Sequence, residues 1–280
     1  MKKKRNNYTG MLFILPSFLG VAIFVLIPFL DVVRRSFTSV ITNQWIGMQN
    51  YLTVFQTKGF QQASANTLRF LAVCMPALII CSLLLSVFLS NQNRVGEILK
   101  SAYLLPMAIP VASVVIMWRI LFSKQGIISG ILMVFGIEPV DWMNSKYAFW
   151  ILVISYIWKN IGYNIVLWMA GLSVIPGSVY EAARVDGAGS VQIFFRITLP
   201  NLWKVFYTIL ILSLLNSFKM FREAYLIGGD YPDESMYMLQ HLFNNWYREL
   251  SLDKLAAAAV LVALVITIFV LRLKKVFYEE

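Results

Sequence analysis

With 280 residues, of which 59% are hydrophobic and only 14% charged, the chain has a mean hydropathy of +0.69. Soluble domains sit near half apolar and a quarter charged, so this composition excludes an ordinary globular domain and points to an integral membrane protein. The formal net charge of +10 does not indicate nucleic-acid binding, because the basic residues gather at the ends of apolar runs, where headgroups and insertion rules account for them, and no basic patch alternates with aromatic residues.

A spanning helix needs roughly 20 mostly apolar residues. Six segments qualify, at 11–33, 68–90, 101–122, 147–171, 202–221 and 255–273, between short ends at 1–10 and 274–280. The expected fold class is an all-α integral membrane protein with six transmembrane helices. The start, MKKKRNNYTG, resembles a secretory leader, but the apolar run behind it is too long. It lacks a small-x-small cleavage site and ends in Asp31, Arg34 and Arg35, so a retained first span is expected. Lys2, Lys3, Lys4 and Arg5 place the N-terminus in the cytoplasm, and six spans return the C-terminus there, where Arg272, Lys274 and Lys275 agree. The middle loops discriminate poorly: Arg94 and Lys100 fall inside, Lys124 and Lys146 outside.

In the second segment Cys74 and Cys81 lie two helical turns apart, too far for a bridge, and read as packed thiols. Pro106 and Pro110 are expected to kink the third. The loops on the outer side, 34–67, 123–146 and 222–254, hold most of the acidic residues, among them Glu138, Asp141, Asp230, Asp233, Glu234, Glu249 and Asp253. In the last of these loops Met236, Leu239, Phe243, Trp246 and Leu250 recur at helical spacing, an amphipathic helix that packs on the span ends or meets a partner. A single histidine, His241, without a Cys/His cluster speaks against a zinc site.

Polar groups in hydrocarbon are costly, so those in mid-span are candidates for a translocation path or for bonds between helices. The fourth segment carries Lys159, Asn160, Tyr163 and Asn164, and the fifth carries Ser213, Asn216, Ser217 and Lys219. Asn160, Tyr163 and Asn164 share one helix face, as do Ser213, Asn216 and Ser217. Amides and hydroxyls beside aromatic rings suit a sugar, whose hydroxyls need hydrogen bonds and whose ring faces stack on aromatic carbons. A charge at the position of Lys159 costs roughly 2.5–3.5 kcal/mol on insertion scales, so it must face water, a carboxylate or carbonyls. It would attract an anionic substrate or pair with a partner subunit. Arg119 and Lys219 sit near span ends, within reach of the interface.

Between the fourth and fifth segments lies a polar insert, 175–200. Pro176 and Gly177 end the fourth span, Ser178 to Glu181 match a capping box, and Gly187 with Gly189 gives the chain a place to turn. Pro200 falls where the fifth span starts, a position that tolerates a missing N–H. A short helix lying parallel to the membrane and tethered at both ends would transmit motion to both spans. An ordinary amphipathic connector would have the same composition.

The spacing Glu181-Ala182-Ala183, three residues, Gly187, nine residues, Ile197, one residue, Leu199-Pro200 resembles the EAA loop of ATP-binding-cassette (ABC) importer permeases. Asp186-Gly187-Ala188 looks like the carbohydrate branch of that family. Trp45-Ile46-Gly47…Asn50-Tyr51, Trp158…Gly162-Tyr163-Asn164 and Gly228-Gly229 add weaker likeness across most of the chain. The resemblance implies a type I importer permease fold whose loop helix seats in a cleft of a cytoplasmic ATPase, with Glu181, Ala182, Ala183, Arg184, Asp186, Gly187, Gly189 and Pro200 as the coupling residues. It also implies a second homologous permease, an ATPase dimer, an extracytoplasmic solute-binding protein and a carbohydrate substrate, in the cell membrane of a prokaryote. ATP and magnesium would sit on the partner ATPase, since no G-x-x-x-x-G-K-[ST] phosphate loop occurs here. A permease for a phosphorylated polyol such as a glycerol phosphodiester is the alternative within transport, and a secondary transporter acting alone is another. A membrane-embedded transferase or protease would need clustered carboxylates, a His pair or a Ser–Lys arrangement, whereas Asp31 and Glu223 lie isolated at span edges.

Overall fold

The computed structural model describes residues 7–90 and 94–278, and among them the one extended pairing is an isolated bridge between Thr38 and Trp45. Six helices among the described residues are long and apolar enough to cross a membrane: Met11–Ser36, Lys58–Ser90, Val111–Val134, Ala148–Leu172, Trp203–Gly228 and Leu252–Phe277. They are called spans one to six below. Lys2, Lys3, Lys4 and Arg5, on which the expected orientation rests, lie outside the described residues, as do the side chains of Arg94, Lys100 and Lys219.

Where the helices differ from the apolar runs, a tertiary contact explains the difference. Span two starts at Lys58, well before the apolar run at 68. Its polar first turns are held by Asn66, whose Nδ2 donates to the carbonyls of Glu234 (2.6 Å) and Tyr237 (2.9 Å). The segment read as one kinked span at 101–122 is two helices, Arg94–Ala108 and Val111–Phe122. Only Pro110 breaks the chain, since Pro106 stays inside the first helix. Span five is longer than read. It runs as Trp203–Ser217, tightens through a 3₁₀ turn at Phe218–Met220, and continues as Phe221–Gly228 before Gly229 turns it at φ +71°. Cys74 is buried, but Cys81 is exposed rather than packed.

The chain forms two compact units, Met1–Phe60 with Phe243–Ile268, and Gln61–Leu242 with Phe269–Glu280. In the first, the exposed span one ends in a tightly bonded corner. Asn50 Nδ2 donates to the carbonyls of Ser36 (3.1 Å) and Thr38 (3.0 Å), and the Tyr51 hydroxyl lies 2.7 Å from Ser36 Oγ. Trp45 stacks on Phe37 at 5.0 Å, and Gly47 takes the positive φ (+61°) that the turn needs.

The second unit is built around span four. Phe70, Cys74 and Leu78 of span two and Met220 and Ala224 of span five pack with Phe149, Leu152 and Tyr156 in one buried cluster. The helix Arg94–Ala108 crosses span four at Gly162, where an added Cβ would stand 1.9 Å from the Tyr103 carbonyl oxygen. Small residues let backbones meet this closely in membranes, where packing rather than water drives association. The helix Leu239–Arg248 keeps part of the expected apolar series: Leu239 and Trp246 are buried and Phe243 half-buried in it, Met236 is buried in the turn before it, and Leu250 lies exposed beyond its end. At its start His241 is fully buried, with Nδ1 accepting from the Met238 N–H (3.3 Å) and the Phe221 ring edge-on at 5.0 Å.

Two predictions follow from this packing. Gly162→Ala should prevent the crossing, so the yield of folded, detergent-stable protein should fall sharply. A variant of ordinary yield and melting temperature would show that the helices do not meet there. Burial pushes the His241 imidazole from its usual 6.5 down to about 4, against the nearby charge of Asp230. The unfolded chain therefore takes up a proton that the folded one refuses, so stability is complete above pH 6.5 and declines as pH falls towards about 4. Thermal melts across that window should show the decline, and His241→Gln should flatten it.

Candidate functional site

The insert between spans four and five is a helical arm, a tight turn and a second helical arm. The first arm is Gly177–Val185, with Pro176 as N-cap residue and no side-chain cap. The helix begins one residue before Ser178, so the expected capping box of Ser178 and Glu181 does not form, and Glu181 keeps an exposed side chain on the arm. The arm's other end is closed by backbone alone. The Ala188 N–H donates to the Ala183 carbonyl (2.9 Å) and the Gly187 N–H to the Arg184 carbonyl (3.1 Å), with Gly187 at φ +79°. This is a Schellman closure, in which glycine adopts the left-handed conformation that other residues resist. Ala182, Arg184, Asp186 and Gly189 are exposed and Ala183 is half-buried. The arm also exposes Val185 at 87%.

Past Gly189 the chain re-enters helix at Ser190–Ile193, widens through a π-turn at Phe194–Thr198 and passes Leu199–Asn201 into span five. Pro200 therefore lies inside this second arm and not at its beginning. The wider turn moves the preceding carbonyls away from the proline ring, and the same pairing occurs at Ala22–Leu26 ahead of Pro28. The Tyr180 hydroxyl, 3.3 Å from Thr198 Oγ, ties one arm to the other. Between the loop and the ends of spans two and four lies a cavity of about 850 Å³, lined by Val87, Met169, Tyr180, Glu181, Arg184 and Thr198 among others.

The mid-span polar residues form a bonded set between spans four and five. Lys159 Nζ lies 2.6 Å from Glu223 Oε1, with the two side chains only 14% and 6% exposed. The sequence places Glu223 alone at a span edge. The break at Phe218–Met220 and the helix that follows it bring Glu223 to Lys159. Asn164 Nδ2 donates to Ser213 Oγ (3.0 Å), and the Tyr156 hydroxyl donates to the Ser213 carbonyl (3.1 Å). Asn160 Nδ2 donates to the Tyr156 carbonyl (2.9 Å) and Ser217 Oγ to the Leu214 carbonyl (2.6 Å). Asn164, Ser213 and Ser217 are buried and do not face an open path here: Asn164 and Ser213 join the two spans, and Ser217 bonds within its own helix, while Asn160, Tyr163 and Asn216 are half-buried. Arg119 does not merely reach for the interface. Its Nη2 donates to the carbonyls of Leu226 (2.9 Å) and Ile227 (3.4 Å), near the end of the helix Phe221–Gly228. Neither Glu223 as the partner of Lys159 nor Arg119 as a helix cap was legible in the sequence, because both depend on where span five breaks.

Residues 78–279 match the family described as the binding-protein-dependent transport system inner membrane component. The chain belongs to that family. It is 33% identical over 262 residues to the "Probable ABC transporter permease protein YesP" of Bacillus subtilis (strain 168), covering 87% of this chain and 84% of that one. It is 29% identical over 251 residues to the trehalose/maltose transport system permease protein MalF of Thermococcus litoralis, covering 88% and 85%. A crystal structure of a bacterial ABC transporter involved in the import of the acidic polysaccharide alginate contains a chain that superposes with a TM-score of 0.85 at 22% identity, covering 98% of this chain and 96% of that one. At that identity the likeness establishes the shared importer permease fold. Membership makes this chain a multi-pass membrane transport subunit and not an enzyme.

The ion pair has a measurable consequence. Removing one partner leaves a buried charge without its counter-charge, at a cost of about 3–5 kcal/mol, while removing both leaves none. Lys159→Met and Glu223→Gln should each lower the melting temperature of the purified protein. The double variant Lys159→Met/Glu223→Gln should recover most of the loss. Additive losses would mean that the two groups are not coupled.

Proposed function

We propose that this chain forms half of the translocation path of an ATP-driven importer that takes up a carbohydrate, an oligosaccharide in particular. The other half is a second homologous permease, the substrate arrives on an extracytoplasmic binding protein, and a cytoplasmic ATPase dimer carries the ATP and magnesium. Both termini and the loop 175–200 face the cytoplasm. The observation that carries the reading is the loop itself. Glu181, Ala182, Arg184 and Val185 stand exposed on a helix whose exit is fixed by Gly187, and both of its arms run directly into spans. An exposed Val185 beside charged groups suits a protein cleft better than open water. The small Ala182 and Ala183 allow close docking, while Asp186, Gly189 and Pro200 shape the turn and the second arm.

Within the path, Lys159, Asn160, Tyr163 and Asn216 stand nearest the surface of the bonded set, with Asn164, Ser213 and Ser217 supporting them from behind. Glu223 cancels the charge of Lys159 at 2.6 Å, which favours a neutral sugar over a phosphorylated polyol. The relatives are named for both kinds of substrate, trehalose and maltose for the Thermococcus protein and sn-glycerol-3-phosphate for UgpA of Salmonella typhimurium, so the preference for a neutral sugar rests on the ion pair.

Ala183→Asp and Gly187→Asp test the coupling role. An aspartate at position 187 must adopt φ near +79°, and one at 183 brings a charge into the docking face. Both variants should insert into the membrane normally and lose about ten-fold or more of ATP-driven uptake, Ala183→Asp through the charge on the docking face and Gly187→Asp through backbone strain of roughly 1–2 kcal/mol. Uptake at the wild-type rate would overturn the assignment. With the reconstituted importer, labelled neutral oligosaccharide should accumulate and labelled glycerol phosphodiester should not.

A further inference from the structure

The loop's two arms meet the membrane helices at a cluster of aromatic rings. Trp168, four residues before span four ends, is fully buried and donates through Nε1 to Ser82 Oγ of span two (3.1 Å). Its ring stacks on Phe206 of span five at 6.3 Å and 20°. Phe206 in turn stacks on Trp203 at 5.7 Å and 25°. Close to both lies Phe277, near the C-terminal end of span six. It stacks on Trp203 at 4.2 Å and 19° and contacts Phe206 at 5.7 Å and Tyr207 at 5.4 Å.

Phe277 is unlike its surroundings. In the stretch 269–277 it is the one buried residue, at 8% exposure, while Leu271, Arg272, Lys274, Lys275 and Val276 are all exposed. Residues 269–280 belong to the second unit, and the ring of Phe277 sits on Trp203, the residue that opens span five. Spans four and five are already in contact at the same level, where a Cβ on Gly171 would come within 2.8 Å of Val205 Cγ2.

We propose that Phe277 is a positioning residue that clamps the C-terminal end of span six to the root of the coupling loop. A push on the loop then moves the ends of spans four, five and six together instead of four and five alone. Aromatic stacking suits this work, because flat rings in offset contact hold together without needing a charged partner. A helix is stiff along its 1.5 Å per residue rise, so displacement of one end is passed on along it. The proposal rests on the coupling role given to the loop above, and deepens it by naming the helix that receives the motion.

The test uses the complete importer in proteoliposomes and reads sugar transported per ATP hydrolysed. Phe277→Leu keeps an apolar side chain of similar bulk but removes the ring, and Trp203→Leu removes the other half of the closest stack. Each should retain co-purification with the ATPase and hydrolysis within about two-fold of wild type, while uptake falls about five-fold, as the loss of one stacked pair implies. Phe277→Trp should restore the ratio of sugar to ATP. A ratio equal to wild type in both leucine variants would overturn the proposal. So would a parallel fall of uptake and hydrolysis that Phe277→Trp fails to reverse, which would mark a purely structural role. Failure of the loop reading looks different: Ala183→Asp would then leave uptake intact whatever Phe277 does.

Discussion

Hydrocarbon offers no hydrogen bonds, so a membrane helix can break only where other side chains satisfy what the break exposes. In this chain that constraint is met at span five, which tightens at Phe218–Met220 and resumes as Phe221–Gly228. The resumed helix brings Glu223 to Lys159 of span four and presents the carbonyls of Leu226 and Ile227 to Arg119 of span three. Two cations that would be costly alone are thereby matched, one to a carboxylate and one to backbone oxygens. The short helix is held in place from two neighbouring spans. The polar pairs Asn164–Ser213 and Tyr156–Ser213 belong to the same seam.

At the other end of the same two spans the chain uses a different means of holding shape. The loop helix owes its exit to a glycine in the left-handed conformation, and its second arm owes its course past Pro200 to a π-turn. Neither device needs a charged partner, which leaves Glu181, Arg184 and Asp186 free to face outward. Tyr180 and Thr198 tie the arms, and stacked rings join their roots to the spans. The loop therefore resembles a stiff handle more than a tether. Under the proposed coupling role a stiff handle would pass a displacement on, where a slack connector would absorb it.

Much of the architecture is legible in the sequence. Runs of apolar residues give six spans because span length is set by bilayer thickness and not by neighbours. The spacing from Glu181 to Pro200 marks the loop, and Gly187 is readable as its turn because few residues tolerate that backbone. The capping box at Ser178 misled, since the helix starts at Gly177 and uses no side-chain cap. Pro106 and Pro110 looked alike, yet only Pro110 breaks the helix. Cys81 read as packed and faces outward.

What the sequence determined by itself is therefore whatever depends on local chemistry: the apolar lengths, the glycine turn and the charged arm between spans. Tertiary structure alone decided which polar groups meet. Lys159 and Glu223 are 64 residues apart and Trp203 and Phe277 still farther, and no local pattern encodes their encounter. The first pairing follows from the point at which span five breaks and from the close contact of spans four and five at Gly171, where the lack of a side chain lets the helices approach.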